Sequence, residues 1–206
     1  MNNGKQLPAS NNGGVAIVTG SSRGIGACIA KRLALDGFTV IVNYAGRTSE
    51  AQSVVDEIRN AGGRAEPIQA DVSVPAQVAA LFDQAATLFG GVDVLVNNAG
   101  TMQPGLVPLS ETDDALFDKI VSINLKGTFN TLRVAAKKLR QGGHIVNFSS
   151  SVTILRMPGY SVYAATKAAV ETMTNIFAKE LWLNLHSRKH SAPDAMRSVG
   201  SSSNHR

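Results

Sequence analysis

The chain has 206 residues, a formal net charge of +5 and 44% apolar residues, enough for one domain with a sizeable core and too apolar for a disordered chain. Its single cysteine, Cys28, excludes an internal disulfide. No apolar run reaches the roughly 18 residues of a membrane span, and no aromatic interleaving or nucleic-acid motif accompanies the basic charge.

Residues 1–13 are polar, lack the apolar centre of a secretory signal and read as a flexible leader, with the cytoplasm as the default location. Residues 15–19 form a short β-rich apolar run that ends at a glycine turn. Residues 25–35 follow with Ile25, Cys28, Ile29 and Leu33 on one helical stripe, so Cys28 is expected to be a buried packing residue rather than a reactive thiol. Further strands are predicted over 38–43, 65–70, 92–97 and 143–149. Helices are predicted over 49–61, over 75–89 with Pro75 in the first turn, over 111–139 with Ser110 or Thr112 as the cap, and from 161 to about 183. Beyond residue 183 the apolar period is lost, and 185–206 is expected to be a disordered tail. That tail carries Arg188, Lys189, Arg197 and Arg206 against Asp194, a net of +3, leaving +2 for the other 184 residues. The basicity is therefore a poor guide to what the folded body binds. The tail histidines His186, His190 and His205 have no helix to align them, so no metal site is expected.

The predicted strands are nearly continuous apolar runs, as in strands covered on both faces. Strand–helix alternation with short links points to an α/β fold over 14–184, a Rossmann-like doubly wound parallel sheet with helices on both faces. Ligands in such sheets lie beyond the carboxyl ends of the strands, and the glycine turn, Asp71, Asn97 and Ser150 all fall at such ends.

The glycine turn has a G-x-x-x-G-x-G spacing at Gly20, Gly24 and Gly26, between a strand and a helix. Such a turn lets backbone amides and the helix dipole meet a pyrophosphate. Tyr163 and Lys167 stand one helical turn apart, so both side chains project from one face. A lysine cation there favours the phenolate and lowers the tyrosine pKa from about 10, which suits proton transfer near neutral pH. Ser150 precedes Tyr163 by thirteen residues.

Together, Thr19 to Gly26, Asn97-Asn98-Ala99-Gly100, Asn124, Ser150 and Tyr163-x-x-x-Lys167 resemble the motif set of the short-chain dehydrogenase/reductase family, in its order and at about its spacings, from residue 15 to about 183. The chain is most similar to its NADPH-dependent carbonyl reductases of the acyl-carrier-protein ketoreductase or aldehyde-reductase type. The resemblance implies that Tyr163 protonates a carbonyl oxygen, or deprotonates the alcohol in the reverse direction. Ser150 would hold that oxygen, with Ser149 and Ser151 as alternatives disfavoured by the offset. Lys167 would bind the nicotinamide ribose and tune Tyr163, and Asn124 would hold a relay water. Their plainer readings are a solvated lysine, a helix-capping asparagine and a strand-end loop serine. Cofactor contacts are implied at Gly20, Ser22, Arg23, Gly24, Ile25, Gly26, Asn43, Tyr44, Arg47, Asp71, Val72, Asn97, Ala99, Gly100, Tyr163 and Lys167.

The second predicted strand ends in Asn43-Tyr44 with no acid for a ribose 2′-hydroxyl, while Arg23 and Arg47 lie in the adjacent loops. Guanidinium suits a 2′-phosphate, so NADPH is expected over NADH. The expected partners are a small carbonyl or alcohol substrate and further copies of the chain, paired through the two long helices as a homodimer or homotetramer, with no nucleic acid and no membrane. The sequence after about residue 181 departs from the family's usual continuation, which would supply two more strands and much of the substrate pocket. The alternative expectation is accordingly an inactive truncated module that binds cofactor or oligomerises.

Overall fold

The computed structural model describes residues 13–190, with side chains to residue 181. Strands β1 (Val15–Val18), β2 (Thr39–Tyr44), β3 (Arg64–Gln69), β4 (Val92–Asn97) and β5 (Leu139–Asn147) form one parallel sheet in the order β3-β2-β1-β4-β5. The chain winds outward from β1 to β3, then returns across β1 to β4 and β5. That reversal opens a crevice at the carboxyl ends of β1 and β4, where doubly wound sheets bind ligands.

Burial explains the strand composition. Every residue of β1 and β2 is buried, and both strands lie inside the sheet. The edge strands β3 and β5 carry many exposed residues, and the edge tolerates Pro67, which has no N–H to donate. Successive β1 residues serve opposite cores. Val15 and Ile17 pack with Leu81, Phe82 and Ala85 of α3 (Pro75–Phe89). Val18 packs with Ala27, Ala30 and Ala34 of α1 (Gly24–Leu35) and with Val54, Val55 and Ile58 of α2 (Thr48–Asn60).

The face of α1 that meets the sheet is a correction to the sequence reading. The buried stripe is Gly26, Ala27, Ala30 and Ala34. Ile25 is 64% exposed and Cys28 is exposed rather than interior. With Ile29 and Leu33 they line an open apolar cleft of about 620 Å³. Small side chains let α1 lie close to the sheet; of the bulkier stripe next to them, Ile29 and Leu33 are half-buried against the core, and Ile25 and Cys28 are turned outward. Hydrophobicity alone placed that stripe too deep.

The long helix predicted over 111–139 is also revised. Residues Leu109–Glu111 form one 3-10 turn, and helix begins at α4 (Asp114–Ile120). Its cap is Asp113, whose carboxylate accepts the Leu116 N–H at 2.7 Å, instead of Ser110 or Thr112. Thr112 donates its hydroxyl backward to the Pro108 carbonyl. A π-helical turn, Val121–Lys126, joins α4 without a break to α5 (Gly127–Lys138). Leu139 belongs to β5, where it pairs with Val92. β5 therefore starts four residues before the predicted strand, and a register shift between Val92 and Val94 leaves residues 140–143 opposite Asp93.

A short helix α6 (Val152–Leu155) that the sequence reading did not include follows β5, and α7 spans Ser161–His190. Residues 185–190, assigned to the disordered tail, are thus helical. Leu185, Arg188 and Lys189 are good helix formers, and extending an existing helix needs no new nucleus. The rest of the tail and residues 1–12 of the leader lie outside the described residues.

At the amino ends of the strands, the Asp93 carboxylate accepts the Val15 N–H at 2.7 Å and the Arg140 guanidinium at 2.7 Å, stapling β1, β4 and β5. Arg140 also donates to the Phe89 carbonyl. Hydrogen bonds to a charged group contribute about 1.5 to 3 kcal/mol. Asp93→Ala is expected to lower the unfolding free energy by about that amount, and Asp93→Asn, which still accepts from Val15, by clearly less. Urea unfolding of the three proteins checks the order, and equal midpoints would remove the staple.

Candidate active site

The crevice wall begins where β1 ends. The Thr19 N–H donates to the Val96 carbonyl and the Ser21 N–H to the Asn43 carbonyl, both at 2.9 Å, so the glycine turn is pinned to β4 and β2. Asn98 locks it from the far side: its Nδ2 donates to the carbonyls of Thr19 and Gly20 at 2.9 and 3.0 Å. The Thr19 hydroxyl accepts from the N–H groups of Asn98 and Ala99. A Cβ on Gly26 would lie 2.4 Å from Asn98 Nδ2 and 2.7 Å from the Gly20 carbonyl, so only glycine fits. Asn43 is 1% exposed and bonds inward through its whole amide, accepting from the Gly20 N–H and donating to the Ile68 and Ala70 carbonyls. Tyr44 is buried beside it.

The amino end of α1 faces out of this turn. Arg23 occupies the cap position, makes no side-chain cap bond, and no acid stands in the first turn. Gly24 has φ +56° and open space where a Cβ would be. These are the features a phosphate site needs: free amides, a positive dipole end and room for the anion. The residues present fit a dinucleotide diphosphate, with Ser22, Ile25 and Gly26 completing the turn. Arg23 and Arg47 are both exposed near the β1 and β2 ends, and Arg47 pairs with Glu50 at 2.8 Å. Asp71 accepts from the Ser73 N–H and hydroxyl. Val72 packs on Gly127, and its carbonyl takes a hydrogen bond from Asn130.

The other half of the crevice is built on β4, β5 and α7. Asn97 Nδ2 donates to Asn147 Oδ1, and Asn147 Nδ2 donates to the Thr174 hydroxyl, each at 2.8 Å, a polar chain from sheet to helix. One residue past β5, the Phe148 carbonyl accepts from Lys167 Nζ at 2.8 Å. Lys167 is 7% exposed, and burial holds its pKa below the ordinary 10.5. Its ammonium lies 5.8 Å from the centre of the Tyr163 ring, which meets Tyr160 edge-on. A Cβ on Gly100 would come within 3.9 Å of Lys167 Nζ and 3.4 Å of Asn124 Oδ1. Gly100, Asn124, Tyr163 and Lys167 therefore share one locus.

Ser150 sits half-buried in the turn into α6, where its carbonyl accepts the Thr153 hydroxyl at 2.9 Å. Ser149 and Thr153 both donate to Glu171 of α7. A cleft of about 290 Å³ opens beside this turn, between α6 and α7, lined by residues that include Thr153, Arg156, Met157, Tyr160 and Ala164. Site-building residues to which sequence reasoning gave no role are Thr19, Asn147, Thr166 and Thr174. Thr19 and Thr166 had an advance signal, because they sit inside the glycine-turn and Tyr163–Lys167 motifs.

Comparison with known proteins agrees with this architecture. The family model for short chain dehydrogenase matches residues 14–184. An NADPH-dependent aldehyde reductase-like chloroplastic protein of Arabidopsis thaliana is 44% identical over 188 residues, covering 85% of this chain and 70% of its own length. The 3-oxoacyl-[acyl-carrier-protein] reductase FabG of Staphylococcus epidermidis is 43% identical over 168 residues, covering 81% and 68%. A crystal structure of a short chain dehydrogenase from Burkholderia cenocepacia in complex with NADP superposes with a TM-score of 0.78 at 40% identity, covering 83% of this chain and 69% of that one. The chain belongs to the short-chain dehydrogenase/reductase family, and it spans about two thirds of the length of the relatives it matches.

The lowered Lys167 pKa has a signed consequence. Between that pKa and 10.5 the unfolded chain binds a proton that the folded chain does not, so stability from this group rises as pH climbs through the window. Lys167→Met removes this dependence. The urea midpoint of the wild type is expected to gain on that of the variant as pH rises toward 10.5; parallel profiles would show that the ammonium is not held in a desolvated place.

Proposed function

We propose that the chain is an NADPH-dependent carbonyl reductase that converts a ketone or aldehyde to an alcohol. The observation that carries this reading is the convergence of Tyr163, Lys167, Asn124 and Gly100 at the sheet's carboxyl end, next to an anion-ready helix terminus. NADPH, when bound, supplies the hydride. Tyr163 Oη gives its proton to the carbonyl oxygen, and the Ser150 hydroxyl donates a hydrogen bond to that oxygen and orients it. Lys167 keeps one N–H on the Phe148 carbonyl and directs its remaining donors at the ribose hydroxyls. The Asn124 carbonyl takes the Thr128 hydroxyl on one lone pair and offers the other to a water that resupplies the proton. Asp71 and Val72 would flank the adenine, and Asn97, Ala99 and Gly100 would cover the bound cofactor.

Cofactor selectivity rests on Arg23 and Arg47. No acid ends β2, and the Arg47–Glu50 pair is a surface ion pair worth at most about 1 kcal/mol. A 2′-phosphate, doubly charged and able to take two parallel N–H bonds, displaces Glu50 from that guanidinium. The named NADPH and NADP relatives support the same choice. An apolar cleft of about 450 Å³ between α4, the π turn and α7, lined in part by Phe117, Val121, Leu125 and Val162, supports association of copies through the long helices. Among the described residues no helix is long and apolar enough to cross a membrane.

The test is NADPH oxidation by the purified chain with p-nitrobenzaldehyde as the probe carbonyl. Turnover is expected, and Tyr163→Phe is expected to abolish it while NADPH still raises the Tm. Tyr163→Phe turnover close to wild type would discard the proton-donor role, and no wild-type turnover would discard the reductase reading for this chain. Arg47→Asp is expected to weaken NADPH at least tenfold and to spare NADH; unchanged selectivity would end the Arg47 assignment.

A further inference from the structure

Thr166 stands between the two residues on which the proposed chemistry rests, and its hydroxyl is 2% exposed with its residue. It donates to the Tyr163 carbonyl at 2.7 Å and accepts from Asn124 Nδ2 at 3.3 Å. The rest of the Asn124 amide is committed to one residue of the loop after β4: Nδ2 also donates to the Thr101 carbonyl, and Oδ1 accepts the Thr101 N–H, both at 2.8 Å. Asn124 is itself 1% exposed. One buried amide thus joins three separate segments: the β4 loop at Thr101, the π turn at Asn124, and α7 at Thr166.

We propose that Thr166 is a positioning residue that sets the rotation of α7 about its own axis, and so the aim of Tyr163 and Lys167. The argument is geometric. A helix lying across other helices is held along its length by packing, but apolar contacts resist rotation about the axis weakly, because they are not directional. A hydrogen bond is directional. Thr166 is one residue before Lys167 and three after Tyr163, so its bond to Asn124 acts within the same helical turn as both. A phenol oxygen about 8 Å from the axis moves by about 1.4 Å when the helix turns by about 10°, and a misplacement of about 1 Å can cost about a hundredfold in rate. Asn124 bonds twice to Thr101 and once to Thr166, so the loop after β4 and α7 hold its amide in one orientation between them. Lys167 supplies a second fastening through the Phe148 carbonyl. Further along α7, Glu171 accepts from Ser149 and Thr153, and Thr174 accepts from Asn147, so Thr166 and Lys167 are the fastenings within the Tyr163–Lys167 turn itself.

This proposal rests on the reductase reading for its catalytic consequence, and it is tested so that the two can fail separately. Thr166→Val keeps the shape and removes the hydroxyl, Thr166→Ser keeps the hydroxyl, and Thr166→Ala guards against a valine variant that does not fold. Two measurements are made on the purified full chain. The first is steady-state turnover of p-nitrobenzaldehyde with NADPH. The valine and alanine variants are expected to lose at least tenfold in kcat with KM for p-nitrobenzaldehyde within threefold of wild type, and the serine variant to stay within threefold on both. The second is amide hydrogen exchange at Thr101, which needs no activity: valine and alanine are expected to speed it at least tenfold and serine to leave it unchanged. Unchanged Thr101 exchange in the valine and alanine variants overturns the clamp whether or not the enzyme turns over. Faster exchange with unchanged kcat overturns the positioning role. A wild type without turnover fails the reductase reading and, with it, the catalytic consequence, while the exchange result still decides the clamp.

Discussion

A cation held out of water at the end of an edge strand is the constraint on which this site depends. Desolvating an ammonium is costly unless its donors are met by oxygen. Among the described residues the Phe148 carbonyl takes one N–H of Lys167. Phe148 can present that carbonyl only because β5 ends at Asn147 and the chain turns there toward Ser150 and α6. The same turn carries the candidate serine. The bond therefore couples the position of the lysine on α7 to the strand end that positions Ser150. The ammonium's other N–H groups point the site toward a ligand rich in oxygen.

The π turn serves the same end from the opposite side. Relative to an α-helix it adds a residue per turn, which rotates the faces of α4 and α5 by about 100° with respect to each other. Beyond the turn, α5 buries Thr128, Thr131, Leu132 and Ala135. Before it, α4 buries only Ile120 and leaves Phe117 half exposed. The widened turn sets Asn124 beside Thr101 and Thr166 while the two flanking helices each keep their own packing. Irregular helix at this point is thus how one continuous segment meets two different surroundings.

Much of this was legible in the sequence, for identifiable reasons. β1, β2 and β4 were legible because strands buried on both faces become continuous apolar runs. The glycine turn was legible because Gly26 meets Asn98 and Gly20 at distances no Cβ allows, and so cannot vary in type. α1 misled because its sheet-facing side chains are alanine and glycine, which carry little hydrophobic signal beside Ile25, Cys28 and Ile29. The π turn left no trace because Val121 to Lys126 is an ordinary helical composition, and one extra residue per turn changes no residue type. The Asn97–Asn147–Thr174 chain was invisible because its members sit 50 and 27 residues apart, and only the fold brings them together.

The catalytic candidates lie toward the least buried side of the sheet. β1 and β2 are sealed on both faces, whereas β5 pairs only with β4 among the described residues, and Val146 is 47% exposed. Edge elements with exposed backbone open more readily than central ones. In the glycine-turn half of the crevice, the hydrogen bonds of Asn98, Thr19 and Asn43 are backed by strands sealed on both faces. The half bearing Tyr163 and Lys167 relies instead on a few directional polar links: Lys167 to Phe148, Asn147 to Thr174, and Asn124 to Thr166. Loss of one apolar contact in the first half lowers stability and leaves the glycine turn in place. Loss of one hydrogen bond in the second half changes where α7 points, so local order in this molecule should track the polar links more closely than total stability does.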